Sequence, residues 1–223
     1  MAFLVVALLI FALLGIEFPV FFLTNLVDGQ TPFVVDWPAN WYALLVHWTV
    51  TITIWTAGIA LAYRWAKRTG VVNELVRFRV TARDAYVTAA GAVLAIAFGV
   101  LHARFTGLAA PQLLREYRGF QAMYGDHAWI LSLFQNVYYL VEYVLVAALV
   151  ALFQRVGERW SRMHWFPWGS VGVFATWGMI HLVTSPHGAA FVLVWSIVPG
   201  ALFVIARKSF WPVVLVSALG FII

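Results

Sequence analysis

The sequence contains no cysteine and few charged residues. With no cysteine among its 223 residues, disulfides, thiolate catalysis, thiolate haem ligation and iron–sulfur clusters are excluded. Histidine and carboxylate are the remaining candidate metal ligands, and we expect neither a metal nor a cofactor. Charged residues make up 10% of the chain and hydrophobic residues 64%, whereas soluble domains carry about 25% charge. Together with the mean hydropathy of +0.90, this predicts an integral membrane protein that crosses the bilayer several times.

The basic residues do not indicate a nucleic-acid partner, although the formal net charge is +5. They lie in short segments between apolar runs, where lysine and arginine orient membrane helices. The densest group follows the second run, from Arg64 to Arg83. We interpret it as a cytoplasmic loop, which either forms a surface helix on anionic lipid or remains a plain basic loop. The expected environment is therefore the lipid bilayer, and nucleic acid is excluded as a partner.

The apolar runs predict an all-α bundle of about seven transmembrane helices in a single domain, residues 1–223. The expected spans are residues 2–24, 41–63, 86–102, 131–155, 169–184, 189–206 and 209–223. The loops after spans two, four and six hold six, three and two lysines or arginines, and those after spans one, three and five hold none, three and none. This bias predicts a cytoplasmic N-terminus in a multi-pass plasma-membrane protein.

Two segments of the N-terminal part, residues 1–128, need separate interpretation. The first apolar run lacks a basic start and is too long for a signal peptide, so we expect it to be retained as the first helix. Residues 103–127 mix both charge signs with apolar residues at helical spacing, which predicts an amphipathic helix that either lies on the outer surface or caps a cavity. That segment leads into a C-terminal part, residues 129–223, that holds the last four spans.

Glu142 is the first candidate site residue because it lies near the middle of the fourth expected span. An ionisable side chain at mid-bilayer costs about 2.5 to 3.5 kcal/mol, so it usually faces the protein interior or a wet cavity and finds a partner. His181, in the next span, is the nearest candidate in sequence order, and a carboxylate and an imidazole can share a water molecule. A structural hydrogen bond is the alternative. Glu17, beside a kink expected at Pro19, is interpreted as interfacial.

Three stretches near the C-terminus occur in a characteristic order: EYVLVA over residues 142–147, WGMIH over 177–181 and SFWP over 209–212. In order and spacing, residues 129–223 resemble the CPBP family, membrane proteins related to CAAX prenyl endopeptidases and bacteriocin-processing proteins. That family carries Glu-Glu-x-x-x-Arg, then Phe-x-x-x-His, then His-x-x-x-Asn or Asp. The resemblance implies a four-helix core in which Glu142 and His181 activate water.

The sequence departs from the family pattern at several functional positions. Tyr143 replaces the second glutamate, Ala147 the arginine, Ser217 the last histidine and Phe221 the asparagine. In the family, the last pair stabilises the oxyanion, and such donors are worth about 3 to 4 kcal/mol each. The resemblance with these losses implies a non-catalytic relative, a pseudoenzyme. We expect it to bind another membrane protein or a membrane-bound peptide, or to serve as a scaffold.

Two other functions remain open. An active glutamate-dependent intramembrane hydrolase would use Glu142 and His181 as its catalytic pair. A haem-binding anchor would draw on His47, His102 and His181, all within or at the ends of expected spans, but the paired spacing typical of membrane cytochromes is missing. A retinal protein would need a lysine in its last helix, and Lys208 lies in the turn before it.

Overall fold

The computed structural model describes residues 2–29, 38, 40–107, 110–184 and 189–222, and the expected all-α fold is confirmed for them. Eleven α-helices are found in these ranges: α1 (Ala2–Leu14), α2 (Glu17–Val27), α3 (Trp41–Arg68), α4 (Val72–Leu75), α5 (Ala82–Thr106), α6 (Gln112–Tyr124), α7 (Ala128–Ser161), α8 (Trp168–Val173), α9 (Met179–Thr184), α10 (Ala189–Ile205) and α11 (Phe210–Ile222). A 3₁₀ turn, Gly125–His127, joins α6 to α7, and a π-helix, Phe174–Gly178, joins α8 to α9.

Four helical segments within the described residues are long and apolar enough to cross a membrane: Ala2–Val27, Trp41–Arg68, Ala82–Phe105 and Gln112–Ser161. They contain the first four expected spans. The last three expected spans correspond to shorter apolar helices, Trp168–Val183, Phe191–Ile205 and Phe210–Gly220.

Helix α5 leaves much of its apolar surface uncovered. Val93, Leu94 and Phe105 are 66%, 70% and 88% exposed. Large contiguous apolar surfaces are rare on soluble monomers and mark contact with a membrane or another protein. The exposed face of α5 therefore fits a helix surrounded by lipid.

The centre of the bundle is α7, which packs against α1, α3, α6, α8, α10 and α11. Leu145, Leu149 and Val150 along it are fully buried. The helix is longer than the expected span 131–155 because no proline interrupts its sequence, and it ends where Arg162 adopts a left-handed conformation, with φ of 61°. The segment that surrounds Glu142 is thus the structural core of the protein.

The first apolar run forms two helices rather than the single helix expected. The chain turns at Gly15 and Ile16, between α1 and α2. The break expected at Pro19 therefore lies earlier, because Pro19 occupies the first turn of α2, where its missing N–H needs no intrahelical partner. The turn places Glu17 at the start of α2.

Ion pairs join several helices at one end of the bundle. The carboxylate of Glu74, in α4, lies 2.6 Å from the guanidinium of Arg155 in α7. Glu158, in α7, is 2.6 Å from the ammonium of Lys208, in the turn between α10 and α11. The loops that follow expected spans two, four and six therefore meet at the same end.

The basic segment after α3 does not form a long surface helix. It contains the four-residue α4 and then an extended stretch in which the Arg77 N–H donates to the Lys208 carbonyl at 2.8 Å. The Arg77 guanidinium binds both oxygens of Asp84, at 2.9 and 2.7 Å, and this hydrogen bonding raises the pKa of Arg77 further above its ordinary value. Thr81 and Asp84 form a capping box that starts α5 at Ala82.

The expected amphipathic helix within residues 103–127 is confirmed as α6. Phe120 is 1% exposed and its ring lies 5.7 Å from the ring of Trp48 in α3. The Glu116 carboxylate accepts hydrogen bonds from Gln112, at 2.9 Å, and from the Tyr139 hydroxyl of α7, at 2.9 Å. These contacts anchor α6 to α3 and α7, while several apolar residues of α6 remain exposed.

Candidate functional site

Glu142 is buried in α7 and is held by a tryptophan. It is 5% exposed, and its Oε1 atom accepts a hydrogen bond from the indole Nε1 of Trp177 at 2.7 Å. A buried carboxylate needs such a donor because an unpaired one is costly to desolvate. The donor to Glu142 is thus Trp177, whereas the sequence indicated His181 on the same span as the candidate partner.

His181 lies one turn after Trp177 and contacts the same indole. The two ring centroids are 4.0 Å apart, and the Nδ1 atom of His181 lies 2.9 Å from the Trp177 carbonyl oxygen. Because a carbonyl only accepts hydrogen bonds, Nδ1 carries the hydrogen in this pair and Nε2 is the acceptor. The Trp177 ring therefore contacts both predicted site residues.

The π-helix positions Trp177 on the inner side of the bundle. Trp177 belongs to the segment Phe174–Gly178 and is 4% exposed. A Cβ atom at Gly178 would lie 2.4 Å from the Ser196 Oγ of α10, so only glycine permits this close approach. Isolated π-turns often occur at functional sites.

Glu17 brings a second carboxylate to the same region. It is half-buried at the start of α2 and interacts electrostatically with the buried Tyr138 of α7. Tyr138 lies one helical turn before Glu142 on α7. The turn between α1 and α2 thus delivers Glu17 to the side of α7 that carries Glu142.

Glu17, Glu142, Trp177 and His181 line one cavity of about 580 Å³, which we call the carboxylate cavity. Trp55 of α3 is the remaining lining residue with a polar side-chain atom, its indole nitrogen. The other lining residues are apolar or glycine: Phe11, Leu14, Gly15, Phe18, Phe21, Ile180 and Val183. Phe18 and Val183 are 50% and 77% exposed, so the cavity opens on the side of the bundle between α2 and α9.

The lining side chains present hydrogen-bond acceptors, whereas their N–H donors are already used. Trp55 Nε1 donates to the Leu13 carbonyl at 2.7 Å, Trp177 Nε1 donates to Glu142, and His181 Nδ1 is paired with a carbonyl. The carboxyl oxygens of Glu17 and Glu142 and the Nε2 of His181 are acceptors. The described lining therefore suits a ligand group that donates hydrogen bonds, such as an ammonium or an amide.

The positions that replace the family's third motif lie elsewhere. Ser217 is 1% exposed in α11, its hydroxyl has no partner among the described residues, and it is not part of the described lining of the carboxylate cavity. Phe221 lies in α11, and its side chain is outside the described part of the structure. Ala147 and Tyr143, which stand at positions of the first motif, are buried in α7.

The three histidines considered for haem have separate surroundings. His47 is buried, with its ring 5.2 Å from that of Phe21. The His102 ring stacks 5.8 Å from that of Phe98. His181 lies in the carboxylate cavity, and the described residues contain no cluster of three or more histidine, aspartate or glutamate residues suited to a metal ion.

Comparison of the chain with protein families, curated proteins and solved structures found no match.

That Glu17 lines the carboxylate cavity was not predicted from the sequence. The signal was present, because Glu17 is a second carboxylate within an apolar run, and such residues usually face a protein interior. Its position near the end of the expected span favoured an interfacial interpretation instead. The turn at Gly15 and Ile16, which separates α1 from α2 just before Glu17, has no equally clear sequence signal.

Proposed function

We propose that this protein is a non-catalytic, CPBP-like membrane protein that binds another membrane protein or a membrane-bound peptide in the carboxylate cavity. The bound group is a hydrogen-bond donor on an apolar body, such as a lysine side chain within a transmembrane segment. The donor-poor, acceptor-rich lining carries this proposal. The opening between Phe18 and Val183 supports access from the side of the bundle.

The lack of a free side-chain N–H donor among the described lining residues also argues against peptide hydrolysis. A hydrolase must stabilise the oxyanion that forms when water attacks a carbonyl, and it does so with preorganised donors. In the described lining, the indoles of Trp55 and Trp177 and the Nδ1 of His181 are all engaged. Ser217, at the family's position for an oxyanion donor, is not among the described lining residues.

A peptide-binding measurement tests the proposal. The probes are two otherwise identical transmembrane polyleucine peptides, one with a central lysine and one with norleucine, and binding is read by energy transfer in vesicles. We expect the lysine peptide to bind at least about tenfold more tightly, because a charge-assisted hydrogen bond contributes about 1.5 to 3 kcal/mol. The double substitution Glu17→Gln with Glu142→Gln should remove the preference.

Glu116→Gln is the matched control, because Glu116 is a hydrogen-bonded carboxylate outside the described lining of the carboxylate cavity. This variant should keep the preference for lysine. Equal binding of the two peptides by the wild type, or an unchanged preference in the double variant, would refute the proposal.

An active hydrolase is the second candidate, and one observation favours it. Glu17 supplies a second carboxylate beside Glu142, although the sequence motif has Tyr143 in place of the family's second glutamate. Incubation of purified protein with prenylated or signal-like peptides distinguishes the candidates. We expect no cleavage; cleavage that Glu142→Gln abolishes would establish the hydrolase.

We further propose seven spans in the plasma membrane, with the N-terminus in the cytoplasm. The meeting of the loops after spans two, four and six at one end of the bundle supports this arrangement. Since the chain has no cysteine, single cysteines at positions 30 and 68 can be labelled selectively in intact cells. Labelling of both from the same side would refute this topology.

A further inference from the structure

A second cavity, separate from the carboxylate cavity, lies between α1, α3, α4 and α7. Its volume is about 370 Å³, and its described lining side chains are aliphatic or aromatic. Ile10, Ile59 and Leu152 form its inner walls. We call it the apolar cavity. A cavity of this kind offers water few hydrogen-bond partners and favours an apolar guest.

One wall of the apolar cavity, formed by α4 and Val76 and here called the roof, is fixed by contacts to α7 and to Lys208. Val72 and Leu75 of α4 form part of it, and the intervening Glu74 is paired with Arg155 at 2.6 Å. Val76 continues the roof, and the next residue, Arg77, is hydrogen-bonded through its backbone to Lys208. Access to the cavity therefore does not lie through the roof.

The mouth of the cavity lies between two aromatic residues. Tyr63 and Phe78 are 49% and 40% exposed, and they are the exposed members of the described lining. Their rings meet edge to face, with centroids 6.4 Å apart. A flexible chain can reach the cavity by displacing these two side chains at the bundle surface.

Two exposed cations flank this mouth along the chain. Lys67 follows Tyr63 by one helical turn of α3, on the same face, and Arg79 directly follows Phe78. Neither forms an ion pair within the described residues, whereas Arg77, Arg155 and Lys208 nearby are paired. An apolar slot whose mouth residues are followed in the chain by exposed cations without ion-pair partners is complementary to an anionic amphiphile.

We infer that the apolar cavity holds one acyl chain of an anionic phospholipid, whose phosphate binds Lys67 and Arg79. This site is independent of the carboxylate cavity and of the function proposed for it. It also gives the basic segment after α3 a specific ligand, beyond a general attraction to the membrane surface.

Lipid titration of the purified full-length protein in detergent micelles, read by native mass spectrometry, tests this inference. The probes are dioleoyl phosphatidylglycerol, dioleoyl phosphatidylcholine and soluble glycerophosphoglycerol. We expect the anionic lipid to bind more tightly than the zwitterionic one, and the soluble headgroup not to compete. The double substitution Lys67→Gln with Arg79→Gln should weaken binding of the anionic lipid about 25-fold, from about five-fold per cation.

The matched control removes two exposed cations elsewhere, by Arg104→Gln with Arg118→Gln. Arg104 lies twenty residues along α5 from Asp84, about 30 Å from the ion-paired end of the bundle. The control variant should bind as the wild type does. Equal loss in the two double variants would overturn the site.

A third arm fills the cavity itself. Ala148 and Ala62 line it from α7 and α3, so Ala148→Phe should reduce binding of both lipids at least tenfold, and Ala62→Phe serves if the first variant does not fold. Folding is checked by a monodisperse elution peak. Unchanged lipid binding by either folded variant, or competition by the soluble headgroup, would overturn the inference.

Discussion

The hydrogen bond between Trp177 and Glu142 yields a sharp prediction for Trp177→Phe. This change removes the indole N–H, which donates to Glu142 at 2.7 Å, and keeps an aromatic ring. A hydrogen bond to a charged group contributes about 1.5 to 3 kcal/mol, and its loss leaves a 5% exposed carboxylate without this donor. For a chain of this size, 1 kcal/mol shifts the melting temperature by about 2 to 4 °C. We therefore expect a drop of about 3 to 12 °C from the hydrogen bond alone.

Trp195→Phe is the matched control. Trp195 is 3% exposed and Trp177 is 4% exposed, but the Trp195 indole nitrogen has no hydrogen-bond partner among the described residues. Both substitutions lose a similar volume of packed side chain, so the difference between them isolates the hydrogen bond. The measurement is the thermal unfolding of each purified variant in the same detergent.

A double-mutant cycle with Glu142→Gln completes this test. The glutamine carbonyl still accepts from Trp177, but a neutral hydrogen bond contributes only about 0.5 to 1.5 kcal/mol. Trp177→Phe should therefore cost about half as much in the Glu142→Gln background as in the wild type. The reasoning is wrong if Trp177→Phe and Trp195→Phe lower the melting temperature equally, or if the cycle shows no coupling.

Three further predictions concern stability and cofactor content. Asp84→Asn should destabilise the protein by about 1 to 3 kcal/mol, because it weakens both the ion pair with Arg77 and the helix cap. Thr81→Ala, which weakens only the cap, should cost about 1 kcal/mol. Equal melting temperatures of the two variants would contradict a role for the ion pair. Gly178→Ala should cost about 1 to 3 kcal/mol by overpacking against Ser196, and adding Ser196→Ala should restore part of the melting temperature; no recovery would place the strain elsewhere. The purified protein should show no Soret band, and a band that disappears when any one histidine is replaced would overturn this expectation.

The helical class follows from the sequence because apolar runs of this length must satisfy their backbone hydrogen bonds internally in a membrane. The same reasoning identified Glu142 as a residue that needs a partner, and it placed that partner on the following span. It also identified α6 as an amphipathic helix. These conclusions depend on local pattern and burial cost, both of which can be read from neighbouring residues.

The precise partner of Glu142 depended on packing between distant segments. The sequence pointed to His181, but Trp177, within the π-helix, donates to Glu142, and the His181 ring packs at an angle against that indole. A local change from α- to π-helix shifts every later side chain around the axis, and the apolar pattern of this segment does not reveal it. Glu142 and His181 share a contact with the large Trp177 ring.

By itself, the sequence determined the helical class, the apolar character and the need of a buried carboxylate for a partner, since each depends on composition and local spacing. Only the tertiary structure decided that Glu17 joins Glu142 in one cavity and that the indole and imidazole donors there are already engaged. The physical reason is that these properties arise from side chains far apart in the chain. Whether these side chains meet depends on where α1 ends and on how the helices that carry them pack around α7.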